Sequence, residues 1–262
     1  MNLKKNNSGN EIPYLSVVRD FKFRTASYRV FQAKLYPVLP FLIYQAYCVR
    51  KKWPTPKAYS EFIQLGNGSQ RLLILGESTA AGVGASSEET TLAGNIYRLF
   101  GENTTVTNLG KKGIRAGQVL PFFSEKLKAE KAQTDGIFLF LGANDCFQLT
   151  NPSDYNLYLL NIIRTLESDY NPDWIYLADI PPVHLFPAFP ALLQSYLKTQ
   201  REFLREEMKQ IAKGNPKIVF DELILNLLPD FFCEDFVHPS DLGYRAIAEF
   251  AWDGLRRRHF FQ

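Results

Sequence analysis

Between residues 70 and 257 the chain alternates short apolar runs with longer amphipathic ones. The runs at 71–75, 136–141, 174–178 and 217–220 are rich in Leu, Ile, Val and aromatic residues, and 104–109 is a run of threonines with Val106 and Leu109. They are too short for helices, so each predicts a strand buried on both faces. Near 90–100, 116–131, 155–169, 192–213 and 240–257 apolar positions instead recur with helical spacing. Strand alternating with helix predicts an α/β chain whose five-stranded parallel sheet is covered on both sides. Sheets of that kind bind ligands beyond the carboxyl ends of their strands, so the residues at those ends carry the functional interest.

The first strand ends in Gly76-Glu77-Ser78. Ser78 is expected where a strand hands over to a helix, its hydroxyl exposed beside unsatisfied backbone N–H groups. That placement suits a nucleophile, and it also suits a plain helix cap. A serine hydroxyl attacks at neutral pH only if an imidazole takes its proton and a carboxylate orients that imidazole. Three histidines could supply the base. His259 sits in a basic, aromatic tail and His184 in an apolar, proline-rich loop. His238 follows Asp235 by three residues and precedes Pro239-Ser240, which resembles a helix start with Ser240 as its N-cap. One turn of chain can therefore hold the Asp235 carboxylate against one ring nitrogen and leave the other free.

Two further strand ends carry candidate donors. The third strand runs into Gly142-Ala-Asn144-Asp145, where the Asn144 side-chain NH₂ could serve an oxyanion; an Asx turn is the plain alternative. After the second strand, Asn108-Leu-Gly-Lys-Lys-Gly113 offers a backbone N–H at Gly113, or at Gly110, with no side chain in the way. Acyl transfer needs such donors where negative charge develops on the carbonyl oxygen.

The order Ser78, Gly113, Asn144, His238 resembles the SGNH (GDSL-type) hydrolase superfamily of esterases and lipases, with matching blocks spread from about residue 70 to 255. The resemblance implies a flavodoxin-like three-layer α/β/α sandwich. It implies Ser78 as nucleophile, His238 as general base and acid, and Asp235 as its orienting carboxylate. The oxyanion hole would combine the N–H groups of Ser78 and Gly113 with the Asn144 side chain. The family's Gly-Asp-Ser is Gly-Glu-Ser here, which bears on the local loop geometry at Glu77. The implied reaction is hydrolysis of acyl esters through an acyl-enzyme, without cofactor or metal. An acyltransferase would use the same residues, and a non-catalytic lipid- or partner-binding protein could retain them.

Composition narrows the partners. Of 262 residues, 46% are apolar and 22% charged, enough for one large core. The formal net charge of +3 is too small to argue for nucleic acid. Cys48, Cys146 and Cys233 form no C-x-x-C pair, so neither a disulfide framework nor a zinc site is indicated.

Domain organisation reads as an N-terminal appendage over residues 1–69 and a hydrolase domain over 70–262. Residues 1–11 are polar and expected to be disordered. An apolar helical segment is expected over 30–50, with a stiff linker, Trp53-Pro-Thr-Pro56, after it. The uncharged run from Leu35 to Val49 lies between Lys34 and Arg50-Lys51-Lys52. At about 1.5 Å per residue it would reach roughly 22 Å, short of a ~30 Å hydrocarbon core. No cleavable signal peptide is recognised, since the run begins late and no small-residue site follows it. The segment is therefore expected either to pack on the hydrolase or to contact a membrane interface through residues 35–52. The expected location is cytoplasmic or peripherally membrane-associated.

Substrate specificity points to the loop after the fourth strand, residues 180–193, which is apolar and carries four prolines. Leu185, Phe186 and Phe189 are expected to help wall an acyl pocket, which favours a small-molecule or lipid acyl ester over a sugar.

Overall fold

A computed structural model describes residues 25–129, 134–223 and 229–258. The expected disordered start at 1–11, His259 and the last two residues of the helix expected over 116–131 lie outside the described residues. The chain forms two compact units divided between Tyr44 and Gln45.

In the first unit residues 25–35 form a helix (α1), interrupted at 36–38 beside Pro37, where the chain turns with Val38 N–H donating to the Leu35 carbonyl at 3.0 Å. Helix α2 (Leu39–Lys52) follows and crosses the division into the second unit. Of its residues only Leu42 is fully buried. Phe41, Ile43, Tyr44 and Tyr47 are each more than half exposed, as is Tyr36 just before it. No helix among the described residues is long and apolar enough to cross a membrane.

The second unit is an α/β fold around a six-stranded sheet. Its strands are β1 (Phe62–Leu65), β2 (Gln70–Gly76), β3 (Thr104–Gly110), β4 (Gly136–Phe140), β5 (Trp174–Leu177) and β6 (Ile218–Val219). They lie in the order β1-β3-β2-β4-β5-β6. Strands β2 to β6 pair in parallel, as the apolar runs predict. The sixth strand, β1, is an addition: it pairs antiparallel with β3, Phe62 opposite Leu109, and makes the sheet mixed. Four residues without alternation gave it no signature in the sequence.

Helices α3 (Leu92–Phe100) and α8 (Asp241–Arg256) pack together, as do α4 (Ala116–Ala129), α6 (Pro152–Tyr170) and α7 (Ala191–Lys213). Both faces of the sheet are covered. Leu72, Ile74, Val106, Phe138, Trp174 and Tyr176 share one core with Ile96 of α3 and Tyr244, Ala248 and Leu255 of α8. Their neighbours Leu73, Leu75, Ile137, Leu139, Ile175 and Leu177 are equally buried; alternate residues point to opposite faces, which is why β2, β4 and β5 read as nearly unbroken apolar runs.

Counting only the parallel strands, the chain starts in the middle at β2, adds β3 on one side and then crosses to β4 on the other. That reversal leaves a crevice outside the carboxyl ends of β2 and β4, where doubly wound sheets bind ligands.

Candidate active site

Ser78 lies two residues past β2 and Asn144 four residues past β4, on the two strands that bound the crevice. Ser78 does not open a regular helix, contrary to the expectation. It begins a run of turns in which Ala81 N–H donates to Glu77 and Val83 N–H to Ser78. Gly82 and Gly84 follow with φ of 68° and 94°, left-handed values that stop a helix from propagating, so α3 starts only at Leu92 behind its N-cap Thr91.

Asp235 and His238 form the expected local pair. His238 Nδ1 lies 2.6 Å from Asp235 Oδ2. The other carboxylate oxygen accepts from the N–H groups of Val237 and His238, both at 2.9 Å, and from Cys233 Sγ at 3.2 Å. Burial alone would raise the Asp235 carboxyl; the His238 ring and the two backbone N–H groups outweigh it and hold the pKa at about 2. Burial, the larger influence on its neighbour, pushes the Cys233 thiol up to about 12, so it stays protonated as a donor. Ser240 caps α8 as expected, accepting from Gly243 N–H at 3.2 Å.

Ser78 and His238 line one cavity of about 50 Å³. Its other walls are almost entirely apolar, among them Phe147, Pro181, Pro182, Phe186, Leu223 and Phe231. Of Leu185, Phe186 and Phe189, Phe186 lines this cavity. Phe189 stands behind it, its ring 5.7 Å from those of both Phe147 and Phe186. Leu185 is 53% exposed and takes no part in the lining; the short 3₁₀ turn Val183–Leu185 sends adjacent side chains in different directions. His184 belongs to the same turn and is not among the lining residues.

The glycine turn after β3 lies beside the end of β2, Lys111 N–H donating to the Gly76 carbonyl at 3.1 Å. The two candidate glycines differ. A Cβ on Gly110 would come within 2.2 Å of the Ala81 nitrogen, so this residue is glycine to let β3 approach the serine turn. Gly113 has φ of 81° and open space around it, which leaves its backbone accessible.

Asn144 sits in a five-residue helix, α5 (Ala143–Phe147), at a place the sequence presented as a loop. Its side-chain NH₂ donates to Glu77 Oε2 at 2.6 Å. Neither Gly113 nor Asn144 is among the residues lining the cavity.

Sequence reasoning missed two supports. Asp179, just past β5, is buried and binds Arg205 Nε at 2.9 Å and Arg201 Nη2 at 3.1 Å, both from α7. It also accepts from Leu223 N–H, while Arg201 Nε donates to the carbonyls of Ile180 and Pro181. Two cavity walls, Pro181 and Leu223, are tied down by this one knot. The second support is the supposed linker. Trp53 sets its ring 4.6 Å from Phe236, inside the Asp235–His238 turn. Lys112 Nζ donates to the Pro56 carbonyl, and Tyr59 and Ser60 donate to Gly82 and Ala81. Residues 53–60 thus brace the serine, glycine and histidine turns together. Among the described residues no cluster of His, Cys, Asp or Glu side chains is arranged to hold a metal ion.

The doubly wound α/β unit gathers a serine, a histidine–aspartate pair and an apolar cavity at its switch crevice. The model of the GDSL-like lipase/acylhydrolase family matches residues 74–246, and the chain belongs to that family of ester-bond hydrolases. Its fold is similar to that of several solved structures. The native aryl esterase of M. smegmatis is 15% identical, with a TM-score of 0.58 over 72% of this chain and 99% of that one. A lipolytic G-D-S-L protein of Veillonella parvula is 19% identical, with a TM-score of 0.58 over 72% and 100%. The psychrotrophic esterase EstA of a Pseudoalteromonas species is 18% identical, with a TM-score of 0.55 over 72% and 98%. No curated protein matches the sequence.

Proposed function

We propose that the protein hydrolyses short-chain acyl esters with Ser78 as nucleophile, His238 as general base and acid, and Asp235 as the carboxylate that orients and charges the imidazole. The observation that carries this reading is that Ser78 and His238 line one small apolar cavity while Asp235 occupies His238 Nδ1 at 2.6 Å. Nε2 is then the ring nitrogen left to the serine. His238 takes the Ser78 proton as Oγ attacks the ester carbonyl, and returns it to the leaving alkoxide as the carbonyl–oxygen bond breaks. Water, deprotonated by the same imidazole, adds to the acyl-enzyme and releases acid and free serine. Asp235, held near a pKa of 2, stays ionised throughout. The N–H groups of Ser78 and Gly113 and the Asn144 carboxamide receive the oxyanion.

The volume of about 50 Å³ gives room for an acyl group of only a few carbons. Phe147 and Phe186 are among its walls, and acetyl to butyryl esters are the proposed substrate class. Turnover of p-nitrophenyl esters tests this: rates should peak between acetate and butyrate and fall steeply by octanoate. Ser78→Ala and His238→Ala, folded by circular dichroism, should each lose turnover and labelling by a fluorophosphonate probe. Full activity in either variant overturns the assignment. Free acid as the product in the presence of excess short alcohols separates hydrolysis from acyl transfer.

A second reading concerns residues 35–52, which contact the interfacial region of an anionic bilayer. The exposed Tyr36, Phe41, Ile43, Tyr44 and Tyr47, uninterrupted by charge and followed by exposed Arg50, Lys51 and Lys52, support it. The protein should cosediment with phosphatidylcholine vesicles containing phosphatidylserine, and Phe41→Asp/Ile43→Asp should abolish this. Equal recovery in the supernatant with and without vesicles refutes the reading.

A further inference from the structure

Asn144 does not hold its orientation by itself. Glu77, the residue before the proposed nucleophile, is 3% exposed and reaches from the end of β2 to the first turn of α5. Its Oε1 accepts from Ala143 N–H at 2.9 Å, and its Oε2 from Asn144 N–H at 3.0 Å and from Asn144 Nδ2 at 2.6 Å. The Glu77 backbone N–H also donates to the Phe140 carbonyl at the end of β4. One residue therefore carries four hydrogen bonds between the strand that presents Ser78 and the strand that presents Asn144.

We infer that Glu77 is a positioning residue for oxyanion stabilisation, its carboxylate fixing the Asn144 carboxamide so that the second side-chain N–H faces the reacting carbonyl oxygen. The inference rests on the proposed assignment of Ser78 and Asn144. A carboxylate only accepts hydrogen bonds, so it selects the NH₂ end of the amide and excludes the flipped rotamer. One N–H is consumed by Glu77, and because the amide is planar the direction of the other is then set. An unsupported asparagine on a five-residue helix would have to be ordered anew in each turnover, whereas a donor fixed beforehand costs no reorganisation when charge develops. The family's block has the shorter aspartate before its serine. In this chain the glutamate spans the distance to both N–H groups of Asn144 and to that of Ala143.

A double-mutant cycle tests this. Glu77→Gln, Asn144→Ala and the double variant are compared with the wild type for kcat and KM on p-nitrophenyl acetate at pH 8.5, above the carboxyl's range. Glutamine replaces one accepting oxygen by an NH₂ group, so it cannot serve Ala143 and Asn144 together. Expected are a roughly 10- to 30-fold loss in kcat for Glu77→Gln with KM within about twofold, and a roughly 100- to 1000-fold loss for Asn144→Ala. The double variant should be no slower than Asn144→Ala within about threefold, because Glu77 then has nothing left to orient. If the losses multiply, or if Glu77→Gln stays within twofold of wild type, the inference fails. Glu77→Asp keeps the charge at shorter reach and takes the same place in the cycle should the glutamine variant not fold. Ser78→Ala run alongside separates the two readings: a dead Ser78→Ala with a multiplicative cycle removes only the role of Glu77, whereas an active one removes the nucleophile as well.

Discussion

Two carboxylates flank the candidate site, Asp235 in the histidine turn and Glu77 at the end of β2, and although burial raises both, their surroundings send them in opposite directions. Both are almost fully enclosed and both accept several hydrogen bonds. Asp235 is nevertheless held down at about 2, while burial, the dominant influence on Glu77, pushes that carboxyl up to about 7. The difference lies in the partners. One donor to Asp235 is an imidazole that can carry a full positive charge. The donors to Glu77 are all neutral amides, and the nearby Asp145 adds repulsion. At Glu77 the neutral N–H groups offset only part of the desolvation, whereas at Asp235 the His238 ring adds to two backbone N–H groups and together they overturn it. The pair proposed to transfer protons and the proposed clamp on Asn144 are thereby distinguishable from their surroundings.

The most damaging way to break the contrast is to remove the charge from its charged half. Asp235→Asn should leave the turn intact yet lower kcat for p-nitrophenyl acetate by roughly 10⁴-fold, by analogy with the loss of an orienting carboxylate in other triads. A loss below tenfold would deny Asp235 its role. On the neutral side, Asn144→Ala is expected to cost roughly 100- to 1000-fold, and a smaller effect would place the oxyanion donor elsewhere.

Stability sharpens the comparison without any assay of turnover. Glu77 binds its proton more tightly folded than unfolded. Its stabilising contribution is complete below its ordinary pKa of 4.5 and is lost as pH rises through about 7, a change of about 3 kcal/mol at 1.36 kcal/mol per unit. Urea unfolding from pH 4.5 to 8 should show the wild type losing that much more than Glu77→Gln; parallel curves would contradict the raised value. Asp235 behaves inversely. Its contribution is complete above its ordinary value near 4 and disappears as pH falls through about 2, about 2 kcal/mol, and Asp235→Asn should remove this acid dependence. The smallest effect concerns specificity. Phe186→Ala should raise the hexanoate-to-acetate ratio of kcat/KM by roughly tenfold, and an unchanged ratio would remove Phe186 from the acyl pocket.

Much of this was legible from the chain alone where physics is local or periodic. Four of the five strands could be read because a strand buried on both faces is apolar nearly throughout, the fifth, β3, from its β-branched threonines and Val106, and Asp235 with His238 because three residues suffice to close their contact. Elements that depend on neighbours were not legible. Phe62–Leu65 becomes a strand only because the edge of β3 is open to it. The segment from Trp53 to Ser60 reads as a stiff linker, and only the folded chain shows it bracing Gly82, Lys112 and Phe236. Leu185 and Phe186 carry the same apolar signal, and the turn they share decides that one meets solvent and the other the cavity.

The order of residue types along the chain thus determined the fold class, the family and the candidate chemistry, because backbone periodicity and short-range hydrogen bonding act over a few residues. The tertiary structure decided which distant groups meet. Glu77 reaches Asn144 across 67 positions of sequence, and Ser78 shares a cavity with His238 only because β2 and the turn before α8 end at the same edge of the sheet. Encounters of that kind depend on how layers pack around a common core, and no local pattern encodes them.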